Sequence, residues 1–100
     1  MRLRNIPRAG QVLEAHDKVV KEYNRGGWRQ QFGNGRPIHI EIGMGKGKFL
    51  LELARRNPLI NYIGIERYSS VLLRAAERYD RAVREGETLD NIRFICMDAR

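Results

Sequence analysis

The chain has 100 residues, which is enough for one small domain at most. Hydrophobic residues make up 42% of it, as in an ordinary globular protein. Its 19 Lys and Arg against 12 Asp and Glu give a formal net charge of +7. The first 36 positions contain eight of the basic residues and only three of the acids. This basic excess favours a polyanionic partner such as nucleic acid. The single cysteine, Cys96, excludes an intrachain disulfide, and no stretch approaches the roughly 18 apolar residues of a membrane helix, so we expect a cytoplasmic protein that does not bind membranes.

Residues 1–36 are predicted to form a basic arm, a short helix and a glycine-rich loop. The first ten residues are rich in arginine and read either as an arm ordered against RNA or as a frayed terminus. Residues 11–23 carry apolar side chains at helical spacing, which predicts an amphipathic helix. Residues 24–36 contain four glycines and two large aromatic residues, which indicates a loop anchored by Trp28 and Phe32.

A strand, a glycine loop and a helix follow. Residues 38–42 alternate apolar and polar side chains, with three isoleucines on one face and His39 and Glu41 on the other. Three glycines spaced two apart come next, and they let the backbone turn tightly and approach a ligand: Gly43, Gly45 and Gly47. Residues 49–56 are predicted to be helical, and the free N–H groups at the helix start suit an anionic group.

The rest of the chain repeats the alternation of strand and helix. Residues 61–66 are predicted to be a second strand, joined to the first by a βαβ crossover and therefore parallel to it. Ser69 or Ser70 is expected to cap a helix that ends at Gly86, and residues 91–97 form a third strand. The prediction is an α/β fold: the first half, three parallel strands with flanking helices, of a doubly wound sheet. Cys96, inside the third apolar run, is expected to be a buried neutral thiol.

The carboxyl ends of the three strands are expected to meet around one ligand. Glu66 ends the second strand, 23 residues after Gly43, where an acid accepts hydrogen bonds from vicinal ribose hydroxyls. A dinucleotide fingerprint requires glycine where Lys48 stands, so a nicotinamide or flavin site is disfavoured. The alternative is that the glycines serve tight packing and the acids are solvated. His16 has no cluster of metal ligands near it in the sequence, so no metal site is predicted.

The pattern Glu41-x-Gly43-x-Gly45-x-Gly47, followed by Glu66 and by Asp98-Ala99, resembles the S-adenosylmethionine site of class I methyltransferases. The resemblance implies S-adenosylmethionine as the cofactor, a Rossmann-like methyltransferase sheet, and Asp98 as acceptor of the adenine amino group. The cofactor-binding residues that it implies are Glu41, Gly43, Gly45, Gly47, Glu66, Asp98 and Ala99.

The stretches 38–47, 61–66 and 97–99 together are similar to the bacterial tRNA (guanine-N7-)-methyltransferase family. That resemblance implies transfer of a methyl group from S-adenosylmethionine to N7 of guanine in tRNA. Members of that family are longer, and their N-F/S-D-P-W-P-K motif and later catalytic acid have no counterpart here, so no catalytic residue is assigned. Residues 37–100 are therefore expected to be the cofactor-binding half of a truncated domain. The alternative is a fragment that binds S-adenosylmethionine or RNA without turnover.

Overall fold

A computed structural model describes residues 9–21 and 27–97. At its centre lies a parallel sheet of three strands in the order β1-β2-β3. The strands are β1 (Ile38–Ile42), β2 (Asn61–Glu66) and β3 (Ile92–Cys96). This arrangement confirms the predicted α/β class and the parallel pairing, and it places β1 at one edge of the sheet.

In the part of the chain that the structure describes, four helices accompany the sheet: α1 (Ala9–Ala15), α2 (Trp28–Phe32), α3 (Lys48–Arg56) and α4 (Ser69–Arg84). The helices α3 and α4 are the two crossover connections, and both pack on the same face of the sheet. The basic residues Arg81 and Arg84 occupy the last turn of α4, where they complement the negative end of the helix dipole.

The main core lies between α3, α4 and one face of the sheet. Phe94 and Leu50 are fully buried there, and Tyr79 of α4 meets the Phe94 ring edge to face with centroids 6.0 Å apart. Burial of such side chains contributes about 1.5–3 kcal/mol each relative to exposure, which fixes the helices on the sheet. The other core residues are Leu13, Val19, Met44, Leu51, Ala54, Tyr62, Leu72, Ala75, Ala76, Ala82, Leu89 and Ile92.

A smaller apolar cluster covers the opposite face of the sheet, where Phe32 packs with Ile63 and Ile95. Arg93 fastens α2 to this face, because its guanidinium lies 4.7 Å above the Phe32 ring and its Nη2 donates to the Gln31 carbonyl at 2.9 Å. Burial lowers the pKa of Arg93 below its ordinary value. The sheet is therefore covered on both faces at β2 and β3.

The helix predicted over residues 11–23 is wrong for residues 16–21. The chain leaves the helix after Ala15 and runs beside β3, where Val20 N donates to Phe94 O at 2.8 Å and Phe94 N donates to Lys18 O at 2.9 Å. Two adjacent β-branched valines favour this extended backbone, and the free edge of β3 supplies partners that an isolated helix lacks. Residues 22 and 23 of the predicted helix lie outside the described residues.

The loop predicted over residues 24–36 is also partly wrong, since Trp28–Phe32 is a short helix that ends at Gly33 with φ 75°. Its two aromatic residues are anchors as expected, because both belong to the cluster on this face of the sheet. Residues 24–26, like the arginine-rich residues 1–8, lie outside the described part of the chain.

Candidate cofactor site

The glycine loop lies at the carboxyl end of β1 and is bound to β2 through its backbone. Gly43 N and Met44 N both donate to the carbonyl of Ile65, at 2.8 and 3.1 Å. Gly47 N closes the turn by donating to Met44 O at 3.2 Å, and α3 begins at the next residue. The loop is therefore held against the second strand while its outer side faces solvent.

Glu66 is the last residue of β2 and is 7% exposed. Its Oε1 accepts from Gly45 N at 3.1 Å, and its Oε2 accepts from Tyr68 N at 3.1 Å. One carboxylate thus links the glycine loop to the start of α4. The serine cap predicted for α4 is not formed, since Tyr68 is the N-cap residue and no side chain caps it.

The two faces of the loop differ in how closely they are packed. Gly43, Gly45 and Gly47 have φ of 70°, 61° and 78°, a left-handed conformation that disfavours any side chain. An added Cβ at Gly43 or Gly45 would meet nothing within 4 Å, whereas one at Gly47 would lie 2.9 Å from Cβ of Ala75 in α4. The first two glycines thus leave an open cradle, and the third allows close packing between helices.

Gly64 and Met44 form the floor beneath this loop. An added Cβ at Gly64 would overlap Met44 Sδ and would lie 2.5 Å from Leu50 Cδ2. The sequence reasoning did not single out either residue, although a glycine inside a strand is a known sign of close backbone or side-chain approach. Met44 is 9% exposed, so its side chain supports the loop from below.

Glu41 lies in β1 opposite Gly64, half-buried and two residues before the loop. It lines a cleft of about 410 Å³ together with His39, Leu50, Leu53 and Tyr62. The His39 and Tyr62 rings meet edge to face at 5.6 Å on this side of the sheet. Glu41 therefore faces the side of the sheet on which α3 packs.

Cys96 differs from its prediction as a buried thiol, because its side chain is exposed at the end of β3, opposite Glu66. Its Sγ lies 3.8 Å from the carbonyl of Arg67. The buried part of the strand ends one residue earlier at Ile95, and the strand end opens toward solvent. Partial desolvation, together with the negative charge of Glu66, raises the pKa of the Cys96 thiol.

Asp98 and Ala99 lie outside the described residues, so their predicted place in the site is not tested. The strand end before them is in place, since Met97 N donates to Glu66 O at 3.1 Å.

Lys46 and Lys48 are exposed at the loop. Within residues 9–21 and 27–97, no three His, Cys, Asp or Glu side chains cluster as a metal site would require. In the same residues, no helix has the length and apolar character needed to cross a membrane.

A protein-family model described as "Putative methyltransferase" matches residues 35–100, which includes the whole sheet and the glycine loop. The chain belongs to this methyltransferase family. Membership of a methyltransferase family implies the use of a methyl donor. The fold of a solved structure titled "Structure of an antibiotic related Methyltransferase" is similar, with a TM-score of 0.64 and 22% identity over 80% of this chain and 40% of that one.

Curated relatives extend the likeness to nearly all residues of this chain. A tRNA (guanine-N(7)-)-methyltransferase from Lachnoclostridium phytofermentans is 54% identical over 99% of this chain and 45% of its own length. Proteins of the same name from Geobacillus sp. and from Geobacillus thermodenitrificans are 48% and 47% identical over 100% of this chain. The chain spans less than half the length of these relatives.

Proposed function

We propose that this chain carries the cofactor-binding part of a tRNA (guanine-N7-)-methyltransferase that uses S-adenosylmethionine. The observation that carries the proposal is the 54% identity to a protein of that name, over an aligned region that takes in 99% of the chain. The open cradle at the loop supports it, since a cofactor needs a surface without side chains at that place.

The residues present fit the adenosyl cofactor. In our proposal Gly43 and Gly45 border it with their backbone, and Glu66 accepts hydrogen bonds from the ribose hydroxyls. A carboxylate offers about four acceptor sites, and the two backbone donors on Glu66 leave capacity for two more. Glu41, Gly47, Asp98 and Ala99 complete the proposed set, with Asp98 accepting from the adenine amino group.

The bound cofactor supplies an electrophilic methyl group on its sulfonium centre. N7 of guanine carries a lone pair and no proton, so the protein's task is alignment of the two reactants rather than proton removal. The described residues that would contribute are those of the loop, which fix the donor. No residue of this chain is assigned to guanine or to stabilisation of the positive charge on the product ring.

The N-terminal region is proposed to contribute to tRNA binding. We divide the chain into residues 1–36, a basic arm with a short helix and glycine-rich loop, and residues 37–100, the cofactor-binding part. The excess of Lys and Arg in the first part would contact phosphates, which position an RNA without reading its sequence. Weakening of binding by added salt would be the sign of such contacts.

Calorimetry with S-adenosylmethionine tests the cofactor proposal on the full chain. We expect a binding heat that is saturable and that also occurs with the demethylated product S-adenosylhomocysteine, since both present the same ribose and adenine. The dinucleotide NAD serves as the matched control, because it also contains adenosine but the loop has Lys48 where a dinucleotide fingerprint requires glycine. A well-folded sample that gives no heat with either adenosyl compound would refute the cofactor site.

A second candidate function is binding of the cofactor or of RNA without turnover. The specific observation in its favour is that the chain covers 45% of its relative, so more than half of that relative has no counterpart in the matched part. An assay that measures transfer of a tritiated methyl group from S-adenosylmethionine to unmodified tRNA distinguishes turnover from binding alone. We expect binding without transfer by the 100-residue chain, and transfer above a protein-free control would show that this chain alone is an enzyme.

A further inference from the structure

The outer face of α4 is basic. Residues 67–84, which comprise α4 and the turn before it, contain five arginines and two acids. Arg74, Arg78 and Arg81 recur at helical spacing, so they lie along one stripe of the helix, and all three are exposed. We call these three residues the arginine face. It lies on the side of α4 away from the residues that pack in the core.

The acids of this segment leave most of the arginine face without a counter-charge. Asp80 Oδ1 lies 2.8 Å from His16 Nε2, and Glu77 accepts from Arg74 at 2.6 Å. Within residues 9–21 and 27–97, no acid forms an ion pair with Arg78 or Arg81. The helix dipole favours a cation such as Arg81 in the last turn, but it does not account for Arg78 in the middle of the helix. Both charges are therefore available to a partner.

The neighbouring helix α3 differs in this respect. Arg55 Nη2 donates to Glu87 Oε2 at 3.1 Å, and Arg56 Nε donates to Glu52 Oε1 at 3.1 Å. Acids of the same chain thus match the two arginines at the end of α3. Of the two crossover helices on this face of the sheet, only α4 presents arginines that the described acids leave unmatched.

The arginine face begins beside the candidate cofactor site. Tyr68 is the N-cap residue of α4, and its N–H donates to Glu66 Oε2 at 3.1 Å. As a crossover helix, α4 runs from the carboxyl edge of the sheet back toward the opposite edge. It packs over β2 and β3, so α3 lies between it and the open edge of β1. Strands added beside β1 would extend the sheet away from the arginine face.

The chemistry of this face suits phosphate groups. Every basic residue of α4 is an arginine, whose planar guanidinium stays charged and donates two parallel hydrogen bonds to a phosphate. We propose that the arginine face of α4 binds the phosphate backbone of tRNA and holds the RNA at the edge where the cofactor site lies. This inference rests on the proposed function, which supplies tRNA as the partner, and adds the surface. Such contacts position an RNA without reading its sequence.

Binding of unmodified tRNA to the full chain, measured by fluorescence anisotropy at several salt concentrations, tests the inference. The double variant Arg78→Gln with Arg81→Gln should weaken tRNA binding by about tenfold. The slope of log affinity against log salt should become shallower by about 1.5, as expected for two lost phosphate contacts. Glutamine is a good helix former and both positions are exposed, and circular dichroism checks that the variant folds.

The matched control is Arg55→Gln with Arg56→Gln, which removes the same charge from arginines that already have acid partners. It should bind tRNA like the wild type. Both double variants should also bind S-adenosylmethionine like the wild type, which separates this surface from the cofactor site. Equal weakening of tRNA binding in the two double variants would overturn the inference, because net charge alone would then explain it.

Two further outcomes separate this inference from the proposed function. If the wild type binds tRNA and the Arg78 and Arg81 double variant binds it equally well, the arginine face is refuted and the proposed function stands. A wild type that binds no tRNA at any salt concentration would contradict both. Polyglutamate at matched charge should not displace the tRNA, and displacement would overturn the assignment to RNA in favour of an acidic protein partner.

Discussion

The backbone N–H of Gly45 donates to Oε1 of Glu66 over 3.1 Å, across 21 residues of sequence. This bond makes Glu66 part of the loop architecture as well as a candidate ligand of a cofactor ribose. The carboxylate is buried, so its stabilisation depends on Gly45 and on the second donor, Tyr68 N. The shape of the glycine loop and the acceptor at the strand end are therefore coupled.

Glu66→Gln is expected to lower the affinity for S-adenosylmethionine by about tenfold or more, which corresponds to loss of a charge-assisted hydrogen bond. An amide oxygen still accepts from Gly45 N, but the amide nitrogen cannot accept from Tyr68 N or from a ribose hydroxyl. Isothermal titration calorimetry measures the change.

The control for that experiment is Glu85→Gln, an exposed carboxylate at the end of α4 that touches no part of the loop. It should bind the cofactor like the wild type. A thermal melt separates a collapsed loop from a lost ligand contact, because only the former lowers the melting temperature strongly. Wild-type affinity in Glu66→Gln would remove Glu66 from the proposed site.

The segment from β1 to β2 was predictable because its signals are local. Alternating isoleucines define β1, three glycines define the loop, and Asn57-Pro58 ends α3 close to where the structure ends it. Such patterns act through neighbours in sequence and need no knowledge of the remaining fold. The third strand was predictable for the same reason, since the apolar run at residues 91–97 is a local signal and forms β3 over residues 92–96.

The errors arose where distant contacts decide the conformation. Val19 and Val20 are extended because β3 offers them partners 74 residues away, as the Val20 to Phe94 bond shows. The helix α2 depends on Arg93, which donates to the Gln31 carbonyl from the far strand. The spacing of residues in the sequence does not reveal either hydrogen bond. Tertiary contacts therefore override the local secondary-structure propensity at both places.

Gly47→Ala is expected to destabilise the fold by about 2–4 kcal/mol, since it combines a left-handed backbone with overpacking. Its added methyl group would lie 2.9 Å from Cβ of Ala75, which belongs to a packed helix. Gly86→Ala is the matched control, with φ 97° and open space around it, and should cost only about 1–2 kcal/mol of backbone strain. Urea unfolding measures both, and equal costs would contradict the packing role of Gly47.

Cys96 should react slowly with iodoacetamide at neutral pH despite its exposure. Its raised pKa lowers the thiolate fraction at any pH below that value, and the thiolate is the reacting form. The alkylation rate of the folded chain should therefore reach half its maximum above about pH 8.5, the ordinary value for a free thiol. The chain unfolded in urea is the control, and as the only cysteine Cys96 needs no mutant background. Equal rates at pH 7 in both states would contradict the shift.

Asn91 holds the end of α3 to the start of β3. Its Nδ2 donates to the carbonyls of Ala54, Asn57 and Ile60 at 3.2, 3.1 and 2.9 Å, and the residue is 5% exposed. Asn91→Asp replaces this donor with a second acceptor, directs a buried negative charge at three carbonyl oxygens and should destabilise the fold by about 3–5 kcal/mol.

The adjacent exposed residue supplies the control for Asn91→Asp, since Asp90→Asn should change the free energy of unfolding by no more than about 0.5 kcal/mol. The Asn91→Asp cost should decrease as the pH falls and the carboxyl is protonated, because a neutral acid regains one donor. Unfolding curves at neutral and acidic pH would show this recovery, and an Asn91→Asp variant as stable as Asp90→Asn would refute the role of Asn91.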